Sequence, residues 1–325
     1  ALEYPGNTVK TGRERCRIQY TGMTDPSIPS PLGPRHWPAW IAIRVIRAVA
    51  CMPYPAMLRL GRGLGWLAAR LLVSRRRVAE RNIALCLPAL SAEERSTLVE
   101  ANLRDAGIML VEFALAWFGS DEAIAKVPVQ IEGLELLTQA KASGRGVLLV
   151  GGHFSHLELC ARLVSYRHRI AAMYRVMDSA VFEQQVLAAR MRYADAMFTK
   201  TQLRQSVRYL RDGGVLWYAP DQDMRGKDSV FVPFFGVPAA TISATHHLAR
   251  MSGALVMPFF HHRLPDGGYV IRIGEALGEF PAKNIVTDTA RINTEIEAMV
   301  RAAPEQYFWL HKRFKTRPNG AAPVY

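Results

Sequence analysis

The 325-residue chain predicts an α/β fold, a mostly parallel central sheet flanked by helices, with an N-terminal apolar helical membrane anchor ahead of it. Three observations carry this. From Val127 onward, short apolar β-rich runs alternate with helix-length amphipathic segments, the pattern of parallel strands covered on both faces. Most of those runs end in glycine, proline or polar turns. Before them, His36 to Val73 is apolar and aromatic along most of its length. Composition does not break after residue 127, so a single domain is expected there.

Residues 1–35 are rich in Pro, Gly, Ser and Thr and show no sustained period, which predicts irregular chain. Residues 1–22 precede Met23, a plausible natural start, and read as a non-native addition or a misplaced start. In the anchor, residues 36–73, Arg44 and Arg47 interrupt the apolar run and Pro53 and Pro55 break it. The uninterrupted pieces fall short of the roughly 20 residues that span a bilayer. Three readings stay open. One is a poor spanning anchor with snorkelling arginines. Another is a pair of helices lying in the interface with Trp37, Trp40 and Trp66 at headgroup level, and the third is a core helical hairpin. No small-residue cleavage site follows a compact apolar core, so no secretory signal is expected. Arg75, Arg76, Arg77 and Arg81 come directly after, as on the cytoplasmic side of a membrane segment.

Residues 74–126 form a helical subregion continuous with the core at 127–325. Ser91 and Glu94 make a capping box, and a helix runs from there to Phe118 with Leu98, Ala101, Ile108, Val111 and Leu115 facing inward. Glu112 and Trp117 on it face either a ligand groove or the core. Strands are expected near 128–131, 146–151, 170–174, 215–219, 230–234, 254–260 and 269–273. Helices are expected near 134–142, 155–167, 179–194, 201–211, 241–252 and 286–302.

The net charge of +13 and pI near 9.9 imply an anionic partner: nucleic acid, anionic lipid or an acidic carrier protein. Zinc-finger spacing, RNA-binding aromatic signatures and heptads are all missing, which demotes nucleic acid. Cys16, Cys51, Cys86 and Cys160 form no C-x-x-C; Cys86 and Cys160 sit among apolar neighbours, as free thiols in a reducing compartment do.

The chemistry centres on GVLLVGGHFSHLE, Gly146 to Glu158. Val147 to Val150 is a buried strand, Gly151-Gly152 break it, and a helix follows. Five positions at about 100° each put His153 and Glu158 on different faces of any one helix, so they meet only if His153 lies on the preceding turn. There, at the carboxyl end of a parallel strand, His153 stands where open α/β sheets bind ligands, and a carboxylate holding its ring makes it a general base. Arg175 ends the third strand, and Val215 to Ala219 runs into Pro220-Asp221-Gln222-Asp223, with an apolar wall at Phe231, Pro233, Phe234 and Phe235. For Arg175 and Asp221 a structural salt bridge is the competing explanation. No metal or cofactor is called for: H-E-x-x-H, G-x-S-x-G, dinucleotide and P-loop signatures are missing. The ending PEQYFWLHKRFKTRP, Pro304 to Pro318, mixes cations with aromatics and suggests an anion-binding or membrane-facing edge.

His153-x4-Glu158, Arg175, Tyr218 to Asp223, Val230 to Pro233, Leu248 to Gly253 and Ala303 to Pro318, in this order, resemble the late acyltransferases of lipid A biosynthesis, nearest to the lauroyl type. Gln222 stands where members carry His, and Arg44 and Arg47 are unusual for the family's apolar anchor. The resemblance implies a glycerolphosphate acyltransferase-like fold and transfer of a fatty acyl group from acyl carrier protein to a hydroxyl of an anionic, Kdo-bearing lipid A precursor. The reaction would run at the cytoplasmic face of the inner membrane, without nucleic acid. It implies His153 as base and Glu158 as the carboxylate fixing its tautomer, with backbone N–H groups near Gly152 helping to hold the oxyanion. Arg175 would bind an acceptor phosphate or polarise the donor, and Asp221, with Asp223, would organise the acceptor. Transfer to another lipid acceptor, or a non-catalytic membrane-binding protein, are the rival readings.

Overall fold

The computed structural model describes residues 33–325; the expectations for residues 1–32 lie outside the described residues. The chain starts with α1 (Trp37–Ala50), α2 (Tyr54–Leu71) and α3 (Val73–Cys86). Pro53 is the N-cap residue of α2, and Pro55 sits in its first turn, where a missing N–H costs nothing. Helix α4 (Ala92–Phe118) begins at the anticipated capping box: Ser91 Oγ accepts from Glu94 N at 3.2 Å, and Glu94 Oε2 accepts from Ser91 N at 2.7 Å.

Helix α2 lies against α4 at near backbone-to-backbone distance. A Cβ on Gly61 would meet Ile108 Cα at 2.7 Å, and one on Gly65 would meet Arg104 Cα at 2.5 Å. Met57 and Leu58 bury beside them, while Trp37, Ile41 and Val45 of α1 and Trp66, Leu67 and Leu71 of α2 are exposed. Among the described residues no helix is long and apolar enough to cross a membrane. The spanning form of the anchor is therefore unsupported: Pro53 splits the segment, and arginines recur along both halves. Arg47 does not snorkel. Its guanidinium lies 5.0 Å from the centre of the Phe118 ring and donates to Gln185 Oε1 at 2.7 Å, tying α1 to the body.

After α5 (Asp121–Ala125) come β1 (Val129–Glu132), α6 (Leu134–Ala142), β2 (Val147–Val150), α7 (Leu157–Ser165), β3 (Ala171–Tyr174), α8 (Ala180–Arg190) and β4 (Met197–Thr199). The chain continues through α9 (Leu203–Arg211), β5 (Val215–Tyr218), β6 (Ser229–Phe234), β7 (Val237–Ile242), α10 (Ala244–Ser252), β8 (Leu255–Arg263), β9 (Tyr269–Ile273) and α11 (Ile285–Ala302). Seven strands make one sheet in the order β1-β9-β8-β2-β5-β3-β4, parallel at every pairing except β8 with β9. The expected α/β class with a mostly parallel, helix-flanked sheet holds.

Strand β2 is central and buried on both faces. Val147 and Leu149 pack toward α4 and α7, and Leu148 and Val150 toward α10, α11 and the C-terminal segment, the period-2 alternation of a strand. Each of these side chains contributes about 1.5–3 kcal/mol of burial, an upper figure because the unfolded chain is itself partly compact.

Two strands depart from expectation. Strand β4 is a three-residue edge, too short to show a period. Strand β7, absent from the expected elements, pairs antiparallel with β6 as a separate hairpin, and the helix expected over 241–252 follows it as α10 from Ala244. The turn between β6 and β7 is Phe235-Gly236, with φ of 51° and 76°, the left-handed pair that hairpin turns require. Pro238, Ala239 and Ala240 have little intrinsic strand preference, and pairing with β6 overrides it.

Candidate active site

The sheet places the carboxyl ends of β2 and β5 side by side, Val150 opposite Tyr218. The turn after β2 needs glycine, since a Cβ on Gly151 would meet the Phe259 carbonyl oxygen at 2.5 Å. His153 follows on that turn, outside α7 as expected. Its backbone N donates to Asp221 Oδ2 at 2.8 Å, and its ring Nδ1 lies 2.5 Å from Asp221 Oδ1. With Nδ1 donating to the carboxylate, Nε2 carries the lone pair, the form a base needs.

The C-terminal segment holds this turn from the other side. His153 O accepts from Phe308 N at 2.9 Å, Ser155 N donates to Gln306 O at 3.0 Å, and Phe154 forms an antiparallel bridge with Tyr307. The Tyr307 hydroxyl also hydrogen-bonds Asp221. The aromatic, basic ending is thus largely internal: Tyr307, Trp309 and Phe314 are buried. Arg313, also buried, donates to Ala240 O at 2.8 Å and to Thr241 Oγ1 at 2.6 Å.

Burial alone would lower the His153 pKa, but the charge of Asp221 and its hydrogen bond more than reverse this and raise it. Burial likewise opposes ionisation of Asp221, which 1% exposure makes severe; His153, its backbone N–H and Tyr307 together outweigh it and hold the carboxyl at about 2.

Glu158 does not orient His153. It sits in the first turn of α7 and points the other way, toward α4 and α8. It accepts from Trp117 Nε1 at 2.8 Å, from Arg190 Nε at 3.1 Å and from Tyr193 Oη at 3.3 Å, with a second, shorter bond to Arg190 Nη2. The orienting carboxylate is Asp221, which stands 68 residues from His153 and reaches it only because β2 and β5 are neighbours. Asp223 accepts from Thr316 N and Thr316 Oγ1, each at 2.9 Å, which ties the C-terminal segment to the loop, and it lines an open groove there. Arg175 lies at the cavity mouth with 84% of its side chain exposed, 3.0 Å from Asp178.

Sequence reasoning missed Tyr307, Arg190 and Tyr193 as site residues. Arg190 and Tyr193 carry no local signal, and Tyr307 lies in the Pro304 to Pro318 segment, whose composition points to an anion-binding or membrane-facing edge.

Beside His153 opens a cavity of about 360 Å³, lined by Met109, Phe113, Leu157, Ile170, Met177 and Met197 among others, with Glu158 and Arg190 in its wall. Its lining is mostly apolar, as in a site that takes a hydrocarbon. On the far side of the Asp221 loop, Arg225, Lys315 and Arg317 line a second, open groove.

Among the described residues, His156, Cys160 and His261 form a group of possible metal donors, with one donor atom from each within 4.8 Å of the others. They do not fit an ion. His156 Nε2 is 3.0 Å from the His261 carbonyl oxygen and must donate to it, which leaves Nδ1 to accept from Ser155 Oγ at 3.2 Å. Burial pushes the Cys160 thiol well above its ordinary value and His156 down to about 4. The cluster is a neutral packing layer beside the turn that carries His153.

A histidine base, a buried carboxylate and an adjoining hydrocarbon-sized cavity meet the demands of acyl transfer, and comparison with known proteins points the same way. The family described as bacterial lipid A biosynthesis acyltransferase matches residues 27–316. The chain is 40% identical over 296 residues to the lipid A biosynthesis lauroyltransferase of Escherichia coli K12, covering 90% of this chain and 96% of that one. It is 38% identical over 296 residues to the palmitoleoyltransferase of the same organism, with the same two coverages, and 30% identical over 307 residues to its myristoyltransferase, covering 90% and 91%. A solved 1-acyl-sn-glycerophosphate acyltransferase from Thermotoga maritima aligns at TM-score 0.36 and 12% identity over 78% of this chain and 97% of that one, a distant likeness. With nine-tenths of the chain aligned to these relatives, the protein belongs to the bacterial lipid A biosynthesis acyltransferase family.

Proposed function

We propose that the protein moves a fatty acyl chain, lauroyl or similar, from an acyl carrier protein thioester to a hydroxyl of a Kdo-bearing lipid A precursor. The observation that carries this is the His153–Asp221 pair opening onto an apolar cavity. The thioester carbonyl lies at the mouth of the cavity with its chain inside. Nε2 of His153 takes the proton of the acceptor hydroxyl as its oxygen attacks the carbonyl carbon; Asp221 fixes the tautomer and stabilises the imidazolium. Collapse of the adduct expels the carrier thiolate, which recovers the proton. No enzyme-bound ester is needed, because the thioester is already activated.

Glu158 acts from the cavity wall by holding Arg190 in place. Arg175, exposed at the mouth, meets an acceptor phosphate or the donor. The groove of Arg225, Lys315 and Arg317 supplies positive charge on the acceptor side of the Asp221 loop. The exposed apolar residues of α1 and α2, beside the basic run Arg75 to Arg77, rest on an anionic membrane surface at the cytoplasmic face of the inner membrane.

Purified protein incubated with acyl carrier thioesters and a Kdo-bearing precursor should yield the acylated glycolipid. His153→Ala should lower the rate by about 10²–10⁴-fold. Transfer only to a lysophospholipid, or near-normal transfer by the variant, would overturn the reading.

A further inference from the structure

Arginines elsewhere in the fold reach carboxylates: Arg162 with Asp121, Arg190 with Glu158, Arg263 with Asp105 and Glu112. Arg225, Lys315 and Arg317 do not. Among the described residues none of these three is in an ion pair, yet all line one open groove of about 560 Å³. Like charges around one concavity repel each other, and an anion seated among them relieves this.

The groove is built from the loop after β5, the β6–β7 hairpin and the C-terminal segment. Asp223 in its wall is two residues from Asp221, so their Cα atoms lie within about 7 Å of each other. A narrow cleft lined by His153, Asp221, Gln222 and His311 adjoins the same loop, where His311 Nε2 accepts from Asp223 N at 3.1 Å. A headgroup in the groove therefore keeps its attached chains within reach of His153.

The lining offers more than charge. Each Asp223 oxygen accepts one hydrogen bond from Thr316 and keeps a lone pair for a hydroxyl. Phe231, 44% exposed, adds an apolar ring face. Cations, a hydroxyl acceptor and a ring face together suit an acidic saccharide, whereas a bare phosphate would leave the ring unused and meet repulsion from Asp223. The volume falls in the roughly 300–1,000 Å³ range of small-molecule clefts, while a carrier protein would dock over a broad surface of about 800 Å².

We propose that this groove binds the phosphate- or carboxylate-bearing saccharide headgroup of the acceptor. Arg225, Lys315 and Arg317 take its anionic groups, Asp223 accepts from sugar hydroxyls, and a sugar ring lies on Phe231. The inference rests on the acyl-transfer reading above and gives its acceptor a headgroup subsite.

The test combines Arg225→Ala and Lys315→Ala, two exposed side chains that make no bond among the described residues. The acceptor KM should rise by about tenfold or more, with kcat and the donor KM within about twofold and a flatter salt dependence of the acceptor KM. An unchanged acceptor KM overturns the proposal, and if the donor KM rises in its place the groove is a carrier-protein dock. Calorimetry without turnover separates this from the reaction reading, with a soluble, deacylated disaccharide bisphosphate as the probe. The parent protein should bind it about tenfold more tightly than the double variant does, and about tenfold more tightly than it binds inorganic phosphate. Equal binding by parent and variant, or inorganic phosphate binding as tightly as the disaccharide, sinks the saccharide site. Disaccharide binding that the two changes abolish, in a protein that acylates no glycolipid, keeps the groove and removes the proposed reaction.

Discussion

His153 and Asp221 share two hydrogen bonds, and the consequences for activity and for stability run in opposite directions. The raised pKa of His153, above its ordinary 6.5, means that the neutral base is gained only as pH rises through the raised value. The folded protein, by contrast, favours the protonated ring, so the pair adds stability that is fully present below the ordinary histidine pKa and lost as pH rises through the raised one. Asp221→Asn tests both. Asp221 accepts from two donors, His153 N and Nδ1, and an asparagine has one acceptor oxygen, so one donor must face an NH₂ group. The rate should fall by about 10²–10⁴-fold. With the counter-charge gone and burial retained, the midpoint of the residual pH–rate profile should move down. An unmoved midpoint would remove Asp221 from control of the base.

At the scale of elements, the site depends on three segments distant in sequence: the β2–α7 turn, the loop after β5, and the C-terminal segment. Helix α4 backs the first of these, and it is itself backed by α2 through glycines. The Cβ that Gly107 of α4 lacks would sit 2.2 Å from the backbone N of Gly65 of α2. Gly65→Val therefore cannot be absorbed by a side-chain rotation, because what it would strike is the backbone of Leu103 and Arg104. The expected cost is about 3 kcal/mol, read as a lowered midpoint in denaturant unfolding. Gly63→Ala, in the same helix where a Cβ meets nothing within 4 Å, should be neutral or slightly stabilising. Equal effects from the two would show that α2 does not pack this closely.

For the whole molecule, the proposed function requires a chain with net charge +13 and no helix able to cross a membrane among the described residues to meet a lipid substrate. Trp37, Ile41 and Val45 recur at helical spacing on one face of α1 and stand 57–62% exposed, as do Leu67 and Leu71 on α2 at 45% and 68%. A body resting on these faces is a peripheral binder. Protein spanning residues 33–325 should sediment with vesicles rich in anionic lipid and be released by alkaline carbonate. Combined Ile41→Ser, Val45→Ser, Leu67→Ser and Leu71→Ser changes should weaken vesicle binding by about tenfold or more, since each removes apolar contact with lipid. Resistance to carbonate, or unchanged binding by the variant, would exclude this mode of attachment.

The sequence by itself determined the elements that signal locally. The capping box at Ser91 and Glu94, the apolar run of β2, its glycine break and the position of His153 on the turn are all set by neighbours within a few residues. The strand–helix alternation was enough to specify a mostly parallel sheet. Tertiary structure alone decided which carboxylate holds His153. Glu158 is five residues from His153, yet its side chain leaves the helix toward Arg190, while Asp221 arrives at His153 because two parallel strands lie side by side. It also decided that Tyr307, Trp309 and Phe314 of the ending are buried behind the turn that carries His153, while Lys315 and Arg317 line an open groove, and that α2 buries its glycine face on α4. Strand adjacency and helix contact join residues tens to hundreds of positions apart, and no periodicity within a short window records which strands or helices will be neighbours.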